Sequence, residues 1–205
     1  MRKMVLGLLT SLLLIVPLPS KAEELELIPL APNHPGFTVR ASPVLCSILI
    51  GKAAADRTVK FTLMDSRKNR PDLEVQLPSS FLSTGRDSLR CVDLKDYNIK
   101  LEPEIEYRWF ISIVRNPESR AQDIVAGGAI ERCDFSDCIF PDLETCTKVM
   151  VVELARAGIW YDSVSCLCQL IKANPDDQGL SRMLGNLLSM GGVQGIYQRS
   201  FLVPL

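Results

Sequence analysis

Tyr107-Arg108-Trp109-Phe110-Ile111-Ser112-Ile113-Val114 is the stretch that decides the fold. Its aromatic and β-branched residues make it the strongest strand candidate in the chain. Successive side chains of a strand point to opposite faces, so Tyr107, Trp109, Ile111 and Ile113 line one face and are expected to supply the densest part of the core. Asn116-Pro117-Glu118-Ser119-Arg120 then reads as a turn, and residues 123–130 as the returning strand. Gly127-Gly128 inside that strand marks a bulge or a close backbone approach.

Outward from this pair, residues 44–50, 58–64, 73–77 and 89–94 are short β-branched and aromatic runs separated by turn residues. The alternation in Val59-Lys60-Phe61-Thr62-Leu63 implies one buried and one wet face, as in antiparallel sheets. Six or seven short strands over about 100 residues favour an antiparallel β-sandwich of immunoglobulin-like type over a barrel. The long, uniformly apolar strands of a doubly wound parallel sheet are missing from the sequence.

After Pro141 the spacing becomes helical. Cys146, Met150, Leu154 and Ala157 share one face of a first helix expected to start near Asp142 and to stop at Gly158. A second, from about Asp162, turns Val164, Leu167, Cys168 and Ile171 inward and ends before Asn174-Pro175. Leu180, Met183, Leu184 and Leu187 stripe a third, which stops at Gly191-Gly192. The order is a helical hairpin plus one helix. Leu154, Ala157, Gly158 and Ile159 match Leu188, Gly191, Gly192 and Val193 at a constant offset of 34 positions, and Pro175-Asp176 lies between them, which is a tetratricopeptide-like pattern. One and a half such units cannot bury their own face, so the helices are expected to lean on the sandwich or on another chain. The fold class is therefore α+β, with a signal peptide over 1–22, a β-sandwich over 23–140 and a helical region over 141–205.

The signal peptide is read from Arg2 and Lys3, the mostly apolar run 5–18, and the small residues of Ser20-Lys21-Ala22, with cleavage before Glu23. No cysteine near the cut suggests a lipid anchor, and the run is short for a spanning helix. The expected location is the periplasm or the extracellular space, with no stable membrane anchor after cleavage. Cleavage takes Arg2, Lys3 and Lys21 from the 205-residue chain, so 23 basic residues fall to 20 against 24 acidic ones and the net charge moves from −1 to −4. That balance, with its charges scattered, argues against nucleic acid or an anionic membrane as partner.

Export sets how Cys46, Cys91, Cys133, Cys138, Cys146, Cys166 and Cys168 are read, because an oxidising compartment favours disulfides. An odd number leaves at least one unpaired, and three bridges among seven allow about 105 connectivities. Cys133 and Cys138, joined by a short polar link, form the first candidate bridge; Cys46, Cys91, Cys146 and Cys168 are further candidates. Cys166 and Cys168 on one helix point about 200° apart and should not bond to each other. Three thiols in Cys133-x4-Cys138-x7-Cys146 raise the alternative of zinc, but the second ligand pair would be Cys166-x-Cys168, whose spacing is poor. The same pair lacks the Cys-x-x-Cys spacing of thiol oxidoreductases. No metal or cofactor is expected.

The chain as a whole resembles an exported bacterial family, domain of unknown function 928. The resemblance is carried by the strand 107–114, the turn Asn116-Pro117-Glu118-Ser119-Arg120, Gly128-Ala129-Ile130-Glu131-Arg132, the helical Ala157-Gly158-Ile159-Trp160-Tyr161-Asp162, and Pro175-Asp176-Asp177. It covers roughly residues 36–202 and implies a β-rich front half and a helical tail, without an established activity. The sequence departs from the family pattern at Cys46 and Ile48, where aromatic residues are expected, and in the cysteine-rich segment 133–146. An extra disulfide in place of the lost aromatic packing would contribute about 2 to 4 kcal/mol, with Cys46 and Cys91 the thiols to test.

Catalytic constellations are sparse. His34, in Pro32-Asn33-His34-Pro35, is the single histidine and has no scaffold to orient it for Ser-His-Asp chemistry. Glu102 with Glu104, and Asp176 with Asp177, sit where turns and helix starts place acids, with no opposing pair of the glycosidase kind. Trp160 and Tyr161 are the interaction candidates: exposed, they would bind a peptide or sugar; buried, they would anchor the helical hairpin to the sandwich. The expected function is a non-enzymatic interaction or scaffolding module of the cell envelope whose partner is another envelope protein; the alternative is an envelope carbohydrate-binding protein or a hydrolase with an unrecognised site.

Overall fold

Alternation along the central strand sets the larger of two sheets. The computed structural model describes residues 25–51, 56–82, 88–133 and 145–193. These form β1 (Glu26–Pro29), β2 (Gly36–Thr38), β3 (Val44–Ile50), β4 (Val59–Asp65), β5 (Leu73–Leu77), β6 (Ser88–Asp93), β7 (Glu106–Ile113) and β8 (Ile124–Arg132), followed by α1 (Lys148–Arg156), α2 (Trp160–Ala173) and α3 (Gln178–Met190). Residues 1–22, read as the signal peptide, and Cys138 lie outside the described residues.

The five-stranded sheet has the order β2-β8-β7-β4-β5. Tyr107, Trp109, Ile111 and Ile113 of β7 are all buried, as are Val59, Phe61, Leu63 and Asp65 of β4, while Arg108 is exposed. Register pairs Trp109 with Leu63 on one side and with Gly128 on the other, without interruption. Gly127-Gly128 therefore makes no bulge and is the close approach instead. A Cβ on Gly128 would collide with the Ala31 side chain and lie 2.9 Å from the Tyr161 hydroxyl oxygen. The turn before β8 is closed by the Ser119 N–H on the Asn116 carbonyl at 3.1 Å, with the Asn116 side chain accepting the Glu118 N–H.

The second sheet is β1-β3-β6, antiparallel throughout. β3 is buried on both faces apart from Val44, so its alternate sets, Leu45, Ser47, Leu49 and Cys46, Ile48, Ile50, both meet protein. α2 covers one of them, for the Cys168 sulfur on α2 lies within 4.8 Å of those of Cys46 and Cys91. One hydrophobic cluster runs from Leu25 through Trp109 and Val164 to Leu188, joining sheets and helices. Each fully buried Leu, Ile or Phe in it contributes about 1.5–3 kcal/mol relative to exposure.

Two short strands were not anticipated. β1 contains Pro29, and β2 is three residues long and runs parallel to β8 at the sheet edge. The first helix also starts later than expected from the spacing of Cys146. Thr147 adopts an extended backbone and its hydroxyl accepts the Met150 N–H at 3.1 Å, capping a helix that begins at Lys148. Cys146 therefore precedes the helix. The other two helices lie close to their expected limits.

The 34-residue offset has a local structural counterpart. Gly158 and Gly192 both have left-handed φ, 76° and 71°. Ile159 N–H reaches back to the Leu154 carbonyl, and Val193 N–H to the Leu188 carbonyl, each at 2.9 Å. Both helices thus end in the same glycine-dependent cap.

Candidate functional site

The cap at Gly158 turns the chain so that α2 begins with Trp160, Tyr161 and Asp162, and each enters a different part of the β unit. The Trp160 indole donates to the Leu30 carbonyl at 3.0 Å. Tyr161 accepts the Trp109 indole N–H at 2.9 Å and donates its own proton to the Ala129 carbonyl at 2.9 Å. Burial pushes the Tyr161 phenol well above its ordinary range, so it stays a donor. Gly191 at the end of α3 leaves room for the Trp160 ring, with which any Cβ there would overlap. Both interaction candidates are buried, Trp160 at 8% exposure and Tyr161 at 1%. They anchor the helical hairpin to the sheets.

Asp162 is the polar counterpart of that seam. Its Oδ2 accepts the Thr38 hydroxyl and the Val39 N–H, both at 2.9 Å, and its Oδ1 lies 3.2 Å from Arg40 Nε in an ion pair. The carboxyl side chain is 1% exposed and the Arg40 side chain 23%. Burial raises the Asp162 carboxyl above its ordinary value, against the opposing pull of Val39, Thr38 and Arg40. A second buried carboxylate, Asp65, behaves oppositely: hydrogen bonds from Arg67, and then the Lys68 ammonium 3.5 Å away, hold it well below the usual carboxylate range.

Five of the seven cysteines fall into two groups on either side of α2. Cys46 of β3 and Cys91 of β6 face each other in register and are bonded, with Cα atoms 4.1 Å apart. The Cys168 thiol sits against this bridge, and burial pushes it up to about 12. On the other side, burial and then the neighbouring Cys146 thiol push the Cys166 thiol well above its ordinary range, against the opposing pull of the Thr147 backbone N–H. Cys146 Sγ also donates to Gln169 Oε1 at 3.4 Å. Cys146 and Cys168, both candidates for bridging, have no disulfide partner among the described residues. Cys133 directly follows β8, and its N–H bonds the Thr38 carbonyl; the candidate bridge to Cys138 lies outside the described residues. As zinc ligands, Cys166 and Cys168 diverge: one meets Cys146, the other the 46–91 bridge.

Beside this seam a cleft of about 380 Å³ is lined by Arg40, Ala41, Ser42, Val44, Asp93, Lys95 and Gln169. The loop after β2 supplies its first wall, the start of the turn Leu94–Tyr97 its second, and α2 its third. Asp93 caps that turn by accepting the Lys95 N–H at 2.9 Å. The lining is polar and offers both charges, a surface for a hydroxylated or mixed-charge ligand. The sequence reading did not find this cleft; its residues are far apart in the chain and carry no shared pattern.

The remaining expected residues are dispersed. His34 is exposed, its ring 2.9 Å from the Pro35 carbonyl. Glu102 and Glu104 are exposed. Asp177 caps α3 through the Gly179 N–H and pairs with Lys148 at 2.7 Å, leaving Asp176 exposed beside it.

A two-sheet β unit with three helices locked onto it by an aromatic and aspartate seam defines a mixed α+β protein whose characteristic motifs meet at one junction. The chain belongs to the family described as Domain of Unknown Function (DUF928), whose model matches residues 17–201. No curated protein matches it.

Proposed function

We propose that this chain is an exported, disulfide-bonded, non-enzymatic interaction or scaffolding module of the bacterial cell envelope. The observation that carries the reading is the Cys46–Cys91 bridge at the heart of the smaller sheet, which suits an oxidising compartment. The leader-like residues 1–22 support the same address. Among the described residues no helix is long and apolar enough to cross a membrane. The aromatic and acidic residues of the family motif are engaged in packing, which favours a scaffold whose exposed surfaces do the binding.

The β unit is read as immunoglobulin-like. Its sheets correspond in order to strands A, B and E on one side and G, F, C and C′ on the other, with β2 an added edge. Tyr107, near the start of the F-like β7, accepts the Glu102 N–H at 3.2 Å, a link resembling a tyrosine corner. The helical tail is read as one and a half tetratricopeptide-like units, supported by the matched caps at Gly158 and Gly192.

A second reading, a carbohydrate-binding envelope protein or a hydrolase, is favoured by the polar cleft alone. N-terminal sequencing of the chain recovered from envelope fractions tests the export reading, which requires a start at Glu23; an intact Met1 there contradicts it. Glycan-array binding abolished by Lys95→Glu would favour the second reading over the first.

A further inference from the structure

We propose that Cys91 is a latent thiol site: Cys168 takes over its place in the bridge to Cys46, and the Cys91 sulfur is released into a cleft between β6 and α2, open there to a small disulfide or electrophile. The sulfurs of Cys46, Cys91 and Cys168 all lie within 4.8 Å of one another, although the residues come from β3, β6 and α2. Two of them form the bridge, and the third is a thiol held against it. Their surroundings differ. Cys46 and Cys168 are each 1% exposed, whereas Cys91 is half-buried. Cys91 also lines a cleft of about 290 Å³, together with Phe81, Arg90, Asp96, Tyr97 and Lys172. Lys172 stands one turn after Cys168 on the same face of α2, so the attacking thiol and the cleft share a cation.

The exchange balances within the chain. Cys168 loses its proton to solvent and its sulfur attacks that of Cys46. The Cys46–Cys168 bond forms, the Cys46–Cys91 bond breaks, and the electron pair leaves on the Cys91 sulfur, which takes up a proton. One disulfide and one thiol are present before and after, so no outside oxidant or reductant enters. Exposure decides which sulfur leaves: charge developing on Cys91 meets the cleft that Lys172 lines, whereas charge on Cys46 would stay enclosed. Burial keeps Cys168 mostly neutral, against the pull of Lys172, so the exchange is slow at neutral pH and quickens in alkali.

The test uses the purified full chain with the Cys46–Cys91 bridge formed, whether or not it has been exported, so its outcome is separate from the export reading. The native protein is held at about pH 9 with iodoacetamide, its remaining thiols are blocked with a heavier reagent under denaturing conditions, and it is digested with trypsin without reduction. The starting bridge joins peptide 41–52 to peptide 91–95. The expected product joins 41–52 to 157–172, while 91–95 carries the mass shift of iodoacetamide; cleavage after Leu167 assigns the new bond to Cys168 rather than Cys166. Cys168→Ser is expected to lose both changes and to keep the starting bridge. The proposal is overturned if 41–52 stays joined to 91–95 in the parent, if Cys168 is itself alkylated while that bridge persists, or if Cys91 is alkylated equally in Cys168→Ser. Where the variant does not fold, the linkage found in the parent decides alone.

Discussion

Trp109 and Tyr161, 52 residues apart, meet in a buried 2.9 Å hydrogen bond that fastens the first turn of α2 to the central strand of the larger sheet. The same phenol donates onward to the Ala129 carbonyl, so one oxygen joins β7, β8 and α2. Tyr161→Phe keeps the ring and leaves the indole N–H and that carbonyl unsatisfied. A loss of about 1–3 kcal/mol is expected from urea unfolding. Unchanged stability would mean that the ring alone makes the seam.

Gly128 sits under this contact, facing both Ala31 and the Tyr161 hydroxyl. Gly128→Ala should destabilise by about 1–3 kcal/mol through overpacking, read as a lower thermal midpoint. A midpoint equal to that of the parent would show that the sheet and α2 can separate freely there.

The two buried aspartates give opposite pH dependences. Asp162 is raised above its ordinary 3.8, so the folded protein holds this proton longer than the unfolded chain, and stability present below 3.8 is lost as pH rises through the raised value. Asp65 is lowered, so its contribution is present above 3.8 and lost as pH falls through its depressed value. Denaturant unfolding across pH should therefore show a decline on the neutral side that Asp162→Asn removes and a decline on the acid side that Asp65→Asn removes. Identical profiles for parent and variants would contradict both assignments.

Cys168, held near 12 against the Cys46–Cys91 bridge, should resist iodoacetamide in the native protein at neutral pH and react on unfolding. Rapid native labelling, located by peptide mapping, would show that this part of the core opens.

Replacing Cys46 and Cys91 together by alanine should lower stability by about 2–4 kcal/mol while leaving the strand content unchanged. Far-ultraviolet circular dichroism and urea titration separate the two effects, and an unaltered midpoint would remove the bridge from the account of the core.

What was legible in the sequence was what periodicity encodes. The limits of β3 and β5 and the inward set of β7 follow from alternating or continuous apolar runs. β1 and β2 escaped because a four-residue strand with Pro29 and a three-residue edge strand carry too little pattern. Cys146 kept a helical spacing without being in the helix, because Thr147 caps the chain one residue later. The partners of Asp162, at Thr38, Val39 and Arg40, are more than 120 residues away, and only the packing of α2 on the β unit reveals them.

The measurement that bears most directly on the interaction reading is purification of the tagged chain from envelope fractions after cross-linking in living cells. The account predicts a mature chain beginning at Glu23 that brings down the same envelope protein in independent preparations. A chain that returns alone each time, or that remains unprocessed in the cytoplasm, would contradict it.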